Sequence, residues 1–330
     1  FQKTTLIPRL TRDCEKSGLE RIHTMSIHAA ERKRVAISGA SGFIGTRLCR
    51  YLEGKGHRVY RLVRHPAQRE NEIPWSPQEG IPLLERLEPL DAVLHLAGKN
   101  IADGRWTSTR KAEILQSRVE GTLALSRTLL ALPHPPQVLL SASAIGFYGD
   151  RQDTPVDEDS PPGSGFLAEV CRQWEAAAQP ARDAGIRVVH PRIGVVLSTE
   201  GGALAKVLLP FRWGLGGPTG PGTQFMSWIA LADLLRAFHF CMQTESIQGP
   251  VNFTAPHPVT NRAFAQTLAG QLQRPAGLPL PAFAVSLLFG EMGRELLLSG
   301  AKVLPKKLLD AGFSFQHDQL ENALWAELKE

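Results

Sequence analysis

Three glycines at three-residue intervals stand between an apolar run and an amphipathic run near the start of the chain. The segment from residue 34 to 45 reads RVAISGASGFIG. Between a strand and a helix, such glycines permit a tight turn, let backbone N–H groups approach a pyrophosphate, and let the helix pack on the strand. The helix N-terminus adds partial positive charge for the phosphates. We expect a bound dinucleotide to contact this turn and the start of its helix, at Gly39, Ser41, Gly42, Phe43, Ile44 and Gly45.

A cation stands where the next apolar run ends. In HRVYRLVRH, residues 57 to 65, Arg64 directly follows the last apolar residue, and the stretch contains no Asp or Glu. An NAD site of this kind usually has an acid there, because a carboxylate accepts a hydrogen bond from the ribose 2′-hydroxyl. A guanidinium instead pairs with a 2′-phosphate. Arg64 therefore predicts that the cofactor is NADP.

The elements that position these residues follow an alternating pattern up to Ser198. Short β-branched runs predict strands at VAIS, HRVYRLV, DAVLHLAG, QVLLSAS and IRVVHPRIGVVLS. Helical patterns follow from Phe43, from about Ser108 to Ala131, and from Glu169 to Ala184. Strands that alternate with helices indicate a parallel sheet covered on both faces. The predicted fold class is α/β, a Rossmann-like doubly wound sheet with a small, mostly helical C-terminal lobe.

The predicted domain organisation has three parts. Residues 1–30 form a leader outside the fold, residues 31–254 an NAD(P)-binding Rossmann domain, and residues 255–330 the helical lobe. Residues 198–222, which are rich in glycine, are predicted to be an inserted loop region towards the cleft. Residues 1–34 carry eight Lys or Arg against four acids, which accounts for most of the net charge of +5. A nearly neutral body favours a small-molecule substrate and no nucleic-acid partner.

Several other classes of protein are disfavoured by composition. The four cysteines are far apart without C-x-x-C, and no two histidines have H-x-x-x-H spacing, so neither a disulfide framework nor a metal site is predicted. The longest apolar stretch is shorter than the roughly 20 residues that span a bilayer, and no membrane association is expected. The leader lacks the long apolar region of a secretory signal. A cytoplasmic location is expected, with an organelle transit peptide in the leader as the alternative.

Ordered motifs over residues 34 to 328 resemble the extended short-chain dehydrogenase/reductase superfamily. They include GASGFIGTRL, AVLHLAGKNI, SASAIGFYGD, RIGVVLS and LGGPTGPGTQFMSWIALADL. The chain is more closely similar to the atypical NADP-binding epimerase family, whose members are mostly described as oxidoreductases. The resemblance implies that Arg118 occupies the place of an asparagine that orders the active site of extended relatives. It also implies that Arg118 contributes to cofactor binding, together with further contacts at strand ends, namely Leu96, Ala97, Gly98, Ser141, Ala142 and Val196.

The catalytic residues of the superfamily are missing from their usual places. The resemblance puts Leu167 at the tyrosine position, Cys171 at the lysine position and Ala144 at the hydroxyl position. One hypothesis is an NADP-dependent oxidoreductase or isomerase in which Tyr148 and Ser143 are the candidate acid–base groups, with Asp150 as a further candidate. The other is a non-catalytic protein that senses NADP(H) or regulates a partner. The sequence leaves both open and does not identify the substrate.

Overall fold

A computed structural model describes residue 1 and residues 32–81, 89–277 and 279–329. The chain divides into two units, Phe1–Arg32 and Lys33–Glu330. The predicted leader lies outside the described residues, apart from Phe1. The second unit carries every element discussed below.

Strands and helices alternate along most of the second unit. The strands are β1 (Arg34–Ser38), β2 (Arg58–Val63), β3 (Glu72–Pro74), β4 (Ala92–His95), β5 (Val138–Ser141), β6 (Ser143–Ala144), β7 (Pro155–Val156), β8 (Arg187–Ile193), β9 (Val195–Leu197), β10 (Phe225–Met226), β11 (Trp228–Ala230), β12 (Gly249–Phe253), β13 (Val259–Thr260) and β14 (Lys302–Val303). The helices are α1 (Phe43–Gly54), α2 (Ser108–Leu130), α3 (Phe166–Ala176), α4 (Gln179–Asp183), α5 (Gly202–Arg212), α6 (Leu231–Gln243), α7 (Asn261–Gln271), α8 (Ala282–Gly293), α9 (Lys306–Asp310) and α10 (Leu320–Lys329). A 3-10 turn spans Ile145–Tyr148, and a π-helical turn spans Arg294–Leu298.

The main sheet is parallel, in the order β12-β8-β5-β4-β1-β2-β3, and β6 extends the pairing to β8. Its central strands are apolar and buried on both faces. The chain moves outward from β1 to β3 and then returns to β4 on the other side of β1. Ligands of doubly wound sheets bind at such a reversal, beyond the carboxyl ends of the strands. The predicted fold class is confirmed.

Helices cover both faces of this sheet. On one face, Leu48 and Leu52 of α1 and Phe238 of α6 belong to one buried cluster with the strands. On the other face, Leu125 of α2 and Ala181 of α4 belong to a second buried cluster. The glycine turn before α1 and the loop between β4 and α2 are thereby fixed at the same edge of the sheet.

Two predicted elements are divided in the structure. The helix predicted over Glu169 to Ala184 begins at Phe166 and is interrupted after Ala176, because Pro180 fits only the first turn of a new helix, α4. The strand predicted over IRVVHPRIGVVLS breaks at Gly194, so that β8 stays in the main sheet while β9 pairs with β11. A Cβ atom at Gly194 would lie 2.6 Å from the carbonyl oxygen of Ser227, which explains the glycine at this break.

The region after Ser198 contains a helix, α5, and the remainder is mostly helical from α7 to α10. This helical lobe contacts α3 through Glu295, in the π-helical turn after α8. Its carboxylate accepts hydrogen bonds from the backbone N–H groups of Phe166 and Leu167 at 3.0 and 3.1 Å. Glu295 therefore caps the N-terminus of α3.

Two buried histidines make the fold sensitive to acid. Burial lowers the pKa of both His95 and His190 to about 4, whereas the unfolded chain protonates them near 6.5. Stability is therefore lost as pH falls from about 6.5 towards 4, by about 2 kcal/mol for each at pH 5. Urea unfolding at pH 7.5 and 5.0 measures this loss. His134→Gln, at an exposed position, should lose the same free energy of unfolding between the two pH values as the unaltered chain. Equal stability at pH 7.5 and 5.0 would contradict the assignment of lowered pKa values to His95 and His190.

Candidate functional site

The glycine turn has the geometry that a dinucleotide phosphate requires. Gly39 has a φ of +68°, and a Cβ atom there would lie 2.9 Å from the carbonyl carbon of Leu96. A Cβ atom at Gly45 would lie 2.1 Å from the carbonyl oxygen of Gly39, so the helix contacts the turn directly. Gly42 is exposed and begins α1 with no side-chain cap and no acid in the first turn. The first backbone N–H groups of α1 are thus left for an anionic ligand.

The chain after β4 forms the second wall of this crevice. The hydroxyl of Ser38 accepts hydrogen bonds from the N–H groups of Leu96 and Ala97 at 3.1 and 3.3 Å. It also lies within hydrogen-bond distance of Nδ1 of His95, at 2.7 Å. Burial keeps His95 neutral. Ser38 and His95 therefore position the backbone at Leu96 and Ala97, which the sequence analysis assigned to cofactor binding. The serine at the end of the apolar strand β1 could have indicated this role of Ser38.

Arg64 is exposed and directly follows β2, the strand beside β1. Its side chain makes no hydrogen bond or ion pair with the described residues. The structure thus brings its cation to the same edge of the sheet as the glycine turn.

The remaining predicted cofactor contacts are distributed around the same edge. Ser141 and Ala142, at the end of β5, are buried, and the Ser141 hydroxyl has no partner among the described residues. Val196 lies on β9, whose following segment reaches α1: a Cβ atom at Gly201 would lie 2.5 Å from the ring of Phe43. Ser41 is exposed, whereas Ile44 packs partly against the core of the sheet.

Leu167 and Cys171 stand on α3 at the positions that the resemblance assigns to tyrosine and lysine, and both pack beside Gly146. A Cβ atom at Gly146 would lie 3.2 Å from Cβ of Leu167 and 3.9 Å from Sγ of Cys171. The Cys171 thiol points to the carbonyl oxygen of Ala144 at 3.6 Å, and burial raises its pKa to about 11. Neither side chain can exchange a proton near neutral pH.

Tyr148 and Ser143, the candidate acid–base groups, belong to a buried polar network. The Tyr148 hydroxyl donates to Oδ1 of Asn252 at 2.7 Å and accepts from Nη1 of Arg192 at 2.9 Å. The Ser143 hydroxyl donates to Oε1 of Glu175 at 2.7 Å. Tyr148 is 0% exposed, and burial raises its pKa to about 12. Catalysis by Tyr148 or Ser143 stays a prediction, and these surroundings weigh against it.

The network is held by a bidentate ion pair that sequence reasoning did not find. Nε and Nη2 of Arg192 donate to the two carboxylate oxygens of Glu175 at 2.8 and 2.9 Å. The guanidinium also lies 3.4 Å from the centre of the Phe147 ring. Arg192 on β8 is in register with Ser143 on β6 and Asn252 on β12, a pairing that only the three-dimensional sheet creates.

Tyr148→Phe tests whether this hydroxyl is structural or catalytic. Its removal leaves Asn252 and Arg192 each one partner short, which should lower the free energy of unfolding by about 1–3 kcal/mol. We expect NADPH affinity and any turnover to change by no more than about threefold, because the buried hydroxyl already has two hydrogen-bond partners within the protein. Urea unfolding and cofactor titration measure both quantities. A loss of turnover of roughly 10²–10⁴-fold would instead make Tyr148 the general acid.

Arg118 projects from α2 to the loop after β4. Its Nη1 donates to the carbonyl oxygens of Lys99 and Ile114 at 3.0 and 3.1 Å. Its guanidinium carbon lies 4.9 Å from the centre of the Trp174 ring. A Cβ atom at Gly98 would lie 3.3 Å from the same carbon. The predicted site residues Gly98 and Arg118 are therefore in contact.

No group of three or more His, Cys, Asp or Glu within the described ranges could hold a metal ion. The same ranges contain no helix with both the length and the apolar character needed to cross a bilayer.

Comparison with known proteins identifies two matching regions. The model of the "NAD dependent epimerase/dehydratase family" matches residues 35–253, and "Domain of unknown function (DUF1731)" matches residues 280–326. The crystal structure of human epimerase family protein SDR39U1 (isoform2) with NADPH is similar, with a TM-score of 0.83 and 37% identity. That match covers 90% of this chain and 99% of the human chain.

Two curated relatives extend the similarity beyond animals. Epimerase family protein Mb2239 of Mycobacterium bovis is 42% identical over 290 residues, which cover 88% of this chain and 96% of the relative. Epimerase family protein SDR39U1 homolog, chloroplastic, of Arabidopsis thaliana is 39% identical over 300 residues, which cover 88% and 86%. These matches agree with the family predicted from the sequence, and the NADPH of the human structure agrees with the predicted cofactor.

Proposed function

Because the chain belongs to the NAD dependent epimerase/dehydratase family, we propose that it binds NADP(H) and acts as an oxidoreductase or isomerase on a small molecule. The observation that carries the cofactor choice is Arg64, an exposed cation after the end of β2 that has no partner in the part of the chain that the structure describes. When bound, NADPH supplies a hydride for reduction. The chain's own residues bind and orient the cofactor and shield the reacting atoms.

Each part of the crevice has a separate role in this proposal. The N–H groups behind Gly42 hold the pyrophosphate, and Arg64 pairs with the 2′-phosphate. The backbone from Leu96 to Gly98, which Ser38 fixes, runs along the adenosine half. Ser141 and Ala142 at the end of β5 lie beside the nicotinamide ribose, and Val196 lies beyond them. These roles rest on the family resemblance and on the sheet edge that the residues share.

Reduction of a carbonyl also requires a proton for the developing alkoxide. The candidate donors are Tyr148 and Ser143, whose hydroxyls are hydrogen-bonded within the buried network, Asp150, and a bound water molecule. Leu167 and Cys171, at the usual positions on α3, provide no proton near neutral pH. This same observation favours a second candidate function, an NADP(H)-sensing or regulatory protein that binds the cofactor without turnover.

The two functions differ in whether a carbonyl compound oxidises the bound cofactor. The full chain is mixed with NADPH, and absorbance at the nicotinamide band is followed over a panel of aldehydes, ketones and 2-oxo acids. Steady oxidation by one compound, abolished when Gly45 is replaced, supports the enzyme. Saturable NADPH binding with no oxidation by any compound supports the sensor.

A cytoplasmic location is part of the proposal, with organelle import as the alternative. The name of the Arabidopsis thaliana relative, which includes "chloroplastic", fits the alternative for that relative. Fluorescence of the full chain fused at its C-terminus to a fluorescent protein distinguishes diffuse cytosolic signal from organelle signal.

A further inference from the structure

Arg118 is a half-buried cation that no acid among the described residues neutralises. Its only protein acceptors within the described ranges are the carbonyl oxygens of Lys99 and Ile114, and both accept hydrogen bonds from Nη1. Burial lowers the pKa of Arg118 to about 10, and the single ionisable neighbour that opposes this shift is the thiol of Cys171. A buried charge without a counter-ion costs free energy, which proteins usually avoid by pairing it.

The free donors of Arg118 are not sealed inside the protein. Nε and Nη2 make no hydrogen bond to the described residues, yet neither belongs to the buried atoms without partners. One face of the guanidinium lies against Trp174, and its carbon approaches Gly98, which is exposed. The two carbonyls and the indole hold the guanidinium in place, while the edge formed by Nε and Nη2 keeps some contact with solvent. A fixed guanidinium edge of this kind suits bidentate pairing with an oxyanion.

We propose that Arg118 is a binding residue for a carboxylate or phosphate group of the substrate. The claim that the bound anion belongs to a substrate rests on the proposed function. It restricts the possible substrates to anionic carbonyl or hydroxyl compounds. The indole N–H of Trp174, buried and without a partner among the described residues, adds to the excess of donors over acceptors around this position.

The strand order separates this anion from those of the cofactor. Arg64 follows β2 and the pyrophosphate turn follows β1, which places the phosphate-rich half of a dinucleotide over β1 and β2. Arg118 meets the loop after β4 only at its far end, at Gly98 and Lys99. Its guanidinium lies beside Trp174 and near Cys171 of α3, whose thiol points to Ala144 after β5. The β4–β5 side of the crevice is where a nicotinamide and its substrate would lie. The oxyanion at Arg118 therefore comes from the substrate.

The test uses the full chain, labelled with ¹⁵N at arginine, first alone and then saturated with NADP⁺. Acetate and inorganic phosphate are titrated in, and acetamide serves as the neutral control with the shape of acetate. The Nε–H resonance of Arg118 is assigned by its absence in Arg118→Lys. We expect a saturable shift of this resonance with acetate or phosphate in the NADP⁺ complex, and no shift with acetamide. Arg118→Gln should weaken anion binding, followed by tryptophan fluorescence, by about 10-fold or more.

Two controls separate binding from folding. Arg127→Gln removes an exposed arginine from the same helix, α2, and should change neither anion nor cofactor affinity. Thermal unfolding shows whether Arg118→Gln is folded; if it is not, the resonance of the unaltered chain still decides the outcome. NADP⁺ affinity of Arg118→Gln should stay within about threefold of that of the unaltered chain.

Each contrary result has its own meaning. If the resonance does not respond to either anion up to about 100 mM, Arg118 binds no oxyanion and the inference is wrong. If anions bind only to the free chain and Arg118→Gln loses NADP⁺ affinity by 10-fold or more, the oxyanion belongs to the cofactor, and the substrate assignment is overturned. If the unaltered chain does not bind NADP⁺, the proposed function fails by itself, and with it the substrate assignment, whatever the anions do.

Discussion

Gly45→Ala is expected to weaken NADPH binding and to destabilise the fold. The new Cβ atom would lie 2.1 Å from the carbonyl oxygen of Gly39 and 2.9 Å from Cα of Ala40. Both neighbours are backbone atoms, so the contact is relieved only if α1 moves away from the turn. We expect the free energy of unfolding to fall by about 1–3 kcal/mol or more. NADPH affinity should fall by more than about 10-fold, because the first N–H groups of the helix no longer face the phosphates.

Gly54→Ala is the matched control at the other end of α1. A Cβ atom there would meet no atom within 4 Å. Alanine is about 1 kcal/mol more favourable than glycine inside a helix, so this variant should be as stable as the unaltered chain or more so. Thermal unfolding and NADPH fluorescence compare the three proteins. A Gly45→Ala protein with unchanged affinity and melting temperature would mean that the turn does not carry the cofactor.

Arg64→Ala is expected to weaken NADPH binding and to leave NADH binding unchanged. A hydrogen bond to a charged group contributes about 1.5–3 kcal/mol, which corresponds to roughly 10- to 150-fold in affinity. Because Arg64 is exposed, solvent screening places the expected loss in the lower part of this range. Raising the salt concentration should reduce the difference between the two cofactors for the same reason.

Arg50→Ala provides the control for a general loss of positive charge. Arg50 is exposed on α1 and belongs neither to the glycine turn nor to the end of β2. Both cofactors should bind this variant as they bind the unaltered chain. Equal losses of NADPH affinity in Arg50→Ala and Arg64→Ala would reduce the role of Arg64 to long-range electrostatics.

Local sequence rules predicted the shape of the glycine turn. The tight turn at Gly39 and the close approach of α1 at Gly45 follow from a strand, a turn and a helix that are adjacent in the chain, and the structure shows both. That these residues bind the cofactor stays a prediction. The position of Arg64 follows from the end of one strand. Pro180 shows the limit of the helical pattern, since its missing N–H divided a helix that periodicity alone had predicted as continuous.

The buried network could not be predicted in this way. Glu175, Arg192 and Asn252 come from three elements that meet only when β8 pairs with β6 and β12. Tyr148 was chosen as a candidate acid because of its place after β5. Nothing in the neighbouring sequence indicates that its hydroxyl donates a hydrogen bond to Asn252. The free charge of Arg118 is likewise visible only after the loop at Gly98 and the ring of Trp174 are in place.

The most direct test of the central claim is a titration of the unaltered full chain with NADPH and, separately, with NADH. Nicotinamide fluorescence gives both dissociation constants under the same salt and pH. We expect saturable binding of one NADPH per chain, with a dissociation constant at least about 10-fold below that of NADH. Equal constants, tighter binding of NADH, or no saturable binding of either cofactor would contradict it.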